Sequence, residues 1–201
     1  MRTKWLFFLS CGLVALGMVL TAWKLLERPH TYRGSLIDPP VKAADFSLQD
    51  QHGQRFKLSE QAGKISLIFF GYTHCPDVCP ITLARFTQIK ESLAEHARGV
   101  NFVMVTTDPE KDSAAVMMNF LSRFDPQFIG LTGSRAELVP VWEKYGVYQA
   151  READGHADDY LVAHTSRVYL IDQEGNWRLT YPYEMDAEAI VNDLSFLLRQ
   201  H

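Results

Sequence analysis

Ile65-Ser66-Leu67-Ile68-Phe69-Phe70-Gly71 is an apolar run of strand length with no polar alternation. A strand covered on both faces reads this way. Directly after it the period changes. Leu83, Phe86, Ile89 and Leu93 follow helical spacing, and Gly99 is a plausible stop. Val100 to Thr106 is a second buried strand. Strand, helix and parallel strand set the fold class as α/β.

The flanks extend the pattern. Upstream, Phe46-Ser47-Leu48 and Arg55-Phe56-Lys57-Leu58 surround Asp50-Gln51-His52-Gly53, a hairpin signal. Downstream, Val116, Met117, Phe120, Leu121 and Phe124 mark a second helix. Ser134-Arg135-Ala136-Glu137 is a capping box opening a third, and Pro140 within it predicts a kink or a short helix. Val168–Ile171 and Trp177–Tyr183 flank a turn at residues 172–176, and Asp186 to Arg199 closes the chain as an amphipathic helix. The order β-hairpin, βαβα, short helix, ββ, α describes a thioredoxin-like α/β sandwich with an N-terminal β-hairpin extension.

At 201 residues, 47% apolar and 22% charged, the chain reads as one globular domain with an attachment. Trp5 to Trp23 carries no charge. As a helix it spans about 28 Å, close to a bilayer's hydrocarbon thickness. Arg2 and Lys4 before it favour a cytoplasmic N-terminus. The expected organisation is a cytoplasmic start at 1–4, one transmembrane helix at 5–26, a Pro-rich linker at 27–40 and the folded domain at 41–201. A cleaved signal segment is the alternative, with Ala15-Leu16-Gly17 as a small-x-small site and Cys11 as a weaker lipoprotein signal. Every option exports the domain. Residues 34–201 carry 15 basic and 23 acidic side chains and no basic stripe with interleaved aromatics, which argues against nucleic acid as a partner.

In such a sheet, ligands gather at the carboxyl ends of the parallel strands. Cys75-Pro76-Asp77-Val78-Cys79 leaves the first strand at that edge, and Asp108 leaves the second. The strand expected to begin near Thr165 runs antiparallel, so His164 just before it returns to the same edge. Two thiols four residues apart, joined by an imidazole, suit reversible disulfide chemistry or a soft metal such as Cu(I). Pro76 and Pro80 set the thiols near a helix N-terminus, where thiolates are favoured. Each residue also has a plainer reading. The cysteines could form a structural disulfide, although so small a loop gains little stability. His164 could be a surface residue, with His74 or His156 as rival ligands. Met104, Met117 and Met118 fall on core faces, and Asp108 and Asp112 could cap a helix.

Phe70-Gly71-Tyr72-Thr73-His74-Cys75-Pro76-Asp77-Val78-Cys79-Pro80 resembles the signature of the Sco/SenC family of copper-delivery proteins. The similarity continues through Asp108–Asp112, Phe124–Gly133 and Tyr160–Thr165, over roughly residues 40–200. The resemblance implies a membrane-anchored protein of cytochrome c oxidase assembly, in the inner membrane of a bacterium with its domain on the periplasmic side. It implies Cys75, Cys79 and His164 as ligands of one copper ion, Cu(I) and in some states Cu(II). Implied partners are the oxidase subunit bearing the dinuclear copper centre, other periplasmic copper carriers and thiol reductases. One departure stands out: the family commonly has an Asp before this histidine, where this chain has Ala163. A carboxylate there would orient the imidazole; Asp158 or Asp159 is the nearest substitute.

Two functions compete on the same residues. A copper metallochaperone needs Cys75, Cys79 and His164, whereas a thiol-disulfide reductase needs Cys75 and Cys79 as its redox pair. A thiol peroxidase on this fold would place a Thr three residues before the reactive cysteine, where this chain has Tyr72.

Overall fold

β4 (Ile65–Gly71) is hydrogen-bonded to β5 (Val100–Thr106) in parallel register, Ile65 opposite Val100 and Gly71 opposite Thr106. Every residue of both strands is buried. Alternation explains how. Ile65, Leu67 and Phe69, with Phe102 and Met104, enter one apolar cluster, while Ile68, Phe70, Val103 and Val105 enter the other. The first cluster is closed by α1 (Val78–Leu93) through Leu83, Phe86 and Ile89 and by α4 (Ala187–Leu198) through Ile190, Leu194 and Leu197. It also receives Met117 and Leu121 of α2 (Ala114–Leu121). The second is closed by α3 (Arg135–Lys144) through Leu138, Val141 and Trp142. Each Leu or Phe fully buried this way contributes about 1.5–3 kcal/mol.

The computed structural model describes residues 17–18, 30–156 and 159–200, with backbone alone for 151–156 and 159. The domain begins at Tyr32. The remaining strands are β1 (Ser35–Lys42), β2 (Ser47–Asp50), β3 (Arg55–Lys57), β6 (Ile129–Thr132), β7 (Gln149–His156), β8 (Asp159–His164), β9 (Arg167–Ile171) and β10 (Asn176–Pro182). The main sheet has the order β1-β10-β9-β4-β5-β6-β2-β3, and β7 and β8 form a separate two-stranded ribbon. β9 is antiparallel to β4, as the thioredoxin-like reading expects, and β6, which that reading lacked, is parallel to β5.

Several expectations change. The stretch expected to be a linker up to Pro40 supplies β1, which pairs with β10 and skips register between Leu36 and Val41. Its prolines hid it from the sequence pattern, yet an edge strand interrupted by a bulge tolerates them. The strand expected from Thr165 begins at Arg167, and His164 instead ends β8. α3 meets its expectation: it is short, ten residues running through Pro140 to Lys144, with its start fixed by the Ser134–Glu137 capping box. Met104 and Met117 are core residues, but Met118 is exposed. The expected membrane helix at 5–26 lies outside the described residues except for Gly17 and Met18, which are helical. Among the described residues no helix is long and apolar enough to cross a membrane.

Candidate metal centre

The loop after β4 is built around a buried carboxylate. The hydroxyls of Thr73 and Thr106 each donate to Asp112 at 2.6 Å, and the Thr73 N–H lies 3.2 Å from both its oxygens. Burial raises the Asp112 pKa even against these donors, which act to lower it. The Thr107 N–H donates to the Gly71 carbonyl at 2.8 Å and closes the strand ends together. Asp108 and Asp112 are therefore supports of the loop. Ser113 is the residue that caps α2.

Cys79 lies in the first turn of α1, fully buried, and Cys75 lies just before that helix at the edge of exposure. A Cβ on Gly71 would sit 2.8 Å from Cys79 Sγ and 2.5 Å from the Phe69 ring, so glycine is what lets the sulfur rest on the strand. Both cysteines are free thiols. Cys75 is pulled down to about 4, first by the hydrogen bond from the Cys79 thiol, against burial, and with help from His164 and the backbone N–H groups of Asp77 and Cys79. Those N–H groups belong to the opening of the helix, where a thiolate is favoured. Burial pushes Cys79 strongly upward, and its hydrogen bond to Cys75 and the neighbouring Cys75 charge add to the shift. Of the two, Cys75 is therefore the thiol that ionises first.

The third group arrives from β8. Its alternate residues Tyr160, Val162 and His164 share one side of the strand. Val162 enters the core, and the Tyr160 hydroxyl donates to Asp108 Oδ1 at 2.7 Å. His164 Nε2 is 3.5 Å from Cys79 Sγ. Its Nδ1 lies 3.3 Å from the Thr165 carbonyl, to which a protonated Nδ1 donates, and this turns Nε2 toward the thiols. The rings of Phe69 and Tyr72 flank the imidazole edge-on at 6.0 and 5.7 Å. The ligand atoms of Cys75, Cys79 and His164 all lie within 4.8 Å of one another.

The SCO1/SenC family model matches residues 35–199. This chain belongs to the SCO1/SenC family. A SCO2-like protein of Rickettsia felis is 38% identical over 189 residues, covering 92% of this chain and 91% of its own. The structure of Bradyrhizobium japonicum ScoI with copper bound superposes with a TM-score of 0.73 at 36% identity, over 78% of this chain and 99% of that one. Apo Sco1 of Thermus thermophilus gives 0.76 at 32% identity, over 84% and 98%.

Sequence reasoning for this SCO1/SenC chain singled out three residues that do meet. His74 stays outside, exposed, its Nδ1 3.0 Å from the Thr73 hydroxyl. The His156 side chain and Asp158 lie outside the described residues, as does the Asp159 side chain. The role foreseen for an Asp at position 163 is taken by the Thr165 carbonyl. Sequence reasoning missed Thr73 and Thr106 as partners of Asp112, and Tyr160 as partner of Asp108. The only signal was their position at the strand ends beside the thiols.

Proposed function

We propose that this protein is a copper metallochaperone that binds one copper ion through Cys75 Sγ, Cys79 Sγ and His164 Nε2. The observation that carries the reading is the convergence of two cysteine sulfurs and an imidazole nitrogen within 4.8 Å. Sulfur and imidazole donors suit Cu(I), which accepts three ligands. Structural zinc calls for four, and the group holds three. The copper-bound Bradyrhizobium structure supports the same cargo. Because a disulfide cannot ligate the metal, the oxidation state of the pair gates loading. Family membership supports delivery to the dinuclear copper centre of cytochrome c oxidase. We further propose that residues 5–26 anchor the chain in a bacterial cytoplasmic membrane with the domain on the periplasmic side.

A second reading is a thiol-disulfide reductase that keeps the cysteines of that centre reduced. The observation favouring it is the low Cys75 thiol beside a free Cys79. Anaerobic Cu(I) titration of the reduced domain decides between them. The chaperone reading expects tight one-to-one binding that is lost in Cys79→Ser and weakened strongly in His164→Ala. Unchanged affinity in His164→Ala, with undiminished reduction of a model disulfide, would favour the reductase.

A further inference from the structure

We propose that the hydrogen bond from Tyr160 to Asp108 is a latch that sets the roll of β8 and so aims His164 at the two thiols. Tyr160 and Asp108 are then positioning residues of the copper site, a role that rests on the copper reading above.

The imidazole and the thiols stand on separate pieces of structure. Cys75 and Cys79 belong to the junction of the main sheet with α1, whereas His164 belongs to the β7–β8 ribbon, which is not paired into that sheet. The ribbon is closed at its base. The Thr165 N–H donates to the Tyr148 carbonyl at 3.1 Å, and the Tyr148 N–H donates to the Thr165 hydroxyl at 3.0 Å. These bonds continue the β7–β8 ladder and hold its two strands to each other. They leave open the roll of the ribbon against the sheet edge, and that roll decides where Nε2 points.

A bond to the end of β5 fixes it. Tyr160 is four residues before His164 on the same side of the strand, about 13 Å away. Its hydroxyl is held by Asp108, which is only 1% exposed and stands at the carboxyl end of β5. Lys111 Nζ lies over the Tyr160 ring at 3.8 Å from its centroid, holding the ring from the side. Between Tyr160 and His164, Val162 enters the core. Leu161, on the alternate side, is 45% exposed. A roll of roughly 15° would carry an imidazole nitrogen sideways by about 1.5 Å, beyond the tolerance of a positioned ligand.

The test is a double-mutant cycle read by anaerobic Cu(I) competition titration. Tyr160→Phe keeps the ring and its contact with Lys111 and removes the donor. It is expected to weaken Cu(I) binding about fivefold to twentyfold in the parent. In a His164→Ala background it is expected to change affinity by less than about twofold. Lys111→Met leaves the buried carboxylate paired with Tyr160 and is expected to weaken binding about twofold to fivefold. In metal-free Tyr160→Phe, hydrogen exchange at the β8 amides is expected to quicken while β4 and β5 are unchanged. An equal loss with and without His164 would make the bond merely structural and overturn the latch. Parent-like affinity in Tyr160→Phe, with His164→Ala weakened, overturns the latch alone. Unaltered affinity in His164→Ala overturns the copper reading and the latch's role with it.

Discussion

Gly71→Ala is a one-carbon test of how the inner sulfur is seated. Gly71 is absent from the positive-φ positions, so alanine meets no backbone objection there, and its effect is steric. By lowering the entropy of the unfolded chain, the change favours folding by about 0.4–1 kcal/mol. Against that, the new Cβ would stand 2.8 Å from Cys79 Sγ and 2.5 Å from a Phe69 ring carbon. Ordinary contacts are near 3.8 Å, so the sulfur has to retreat by about 1 Å. The backbone cannot retreat instead, because the Gly71 carbonyl is bonded to Thr107 and Gly71 is in register with Thr106. Overpacking of this kind costs about 1–3 kcal/mol. The net loss is about 1–2 kcal/mol, or a Tm lower by roughly 2–8 °C. Displacement of one donor by about 1 Å should weaken Cu(I) binding at least about tenfold, equivalent to 1.4 kcal/mol. Calorimetry of the metal-free protein and Cu(I) competition titration measure the two effects. Gly99→Ala is the control: its Cβ would meet only the movable end of the Leu198 side chain, at 2.9 Å, so it should leave Cu(I) affinity at the parental value. A Gly71→Ala protein with parental Tm and parental Cu(I) affinity would refute the reasoning.

Three further outcomes are expected. Alkylation of the reduced protein by iodoacetamide should target Cys75 and keep most of its rate from pH 7 to pH 5, where an ordinary thiol slows about a hundredfold. The sign follows from a lowered pKa: the stability linked to this thiolate declines as pH falls from the ordinary thiol range and is gone below about 4. Ala163→Asp should change Cu(I) affinity by less than about tenfold, because the Thr165 carbonyl already holds Nδ1; a larger gain in titration would show that carbonyl to be an inadequate substitute. Asp112→Ala leaves the hydroxyls of Thr73 and Thr106 without their acceptor and should cost about 2–5 kcal/mol in urea unfolding, with Cu(I) affinity falling alongside.

What could be read from the chain was what obeys a period. β4 and β5 announce themselves because both faces are covered, and α1 because one stripe is. The thiol spacing and the antiparallel return of β9 were enough to bring His164 to the right edge. β1 escaped because prolines on an edge strand leave no alternation to see, and β6 because four residues are too few. The β7–β8 ribbon escaped for a different reason. It stands outside the main sheet, so residues 151–159 needed no apolar face and resembled a loop. The supports of the site were illegible by nature. Nothing local marks Asp112 as a partner of Thr73, 39 positions earlier, or Tyr160 as a partner of Asp108. Only the assembled sheet edge pairs them.

The unequal depth of the two sulfurs gives the site a direction. Cys75 is 9% exposed and Cys79 not at all. Any visitor from solvent, whether an oxidant, a partner's disulfide or an acceptor's thiol, reaches Cys75 first, the thiol whose pKa is lowered. Cys79 is reached only from inside, through its neighbour. For the proposed copper site this sets an order of exchange: the outer sulfur changes hands first, while Cys79 and His164 still hold.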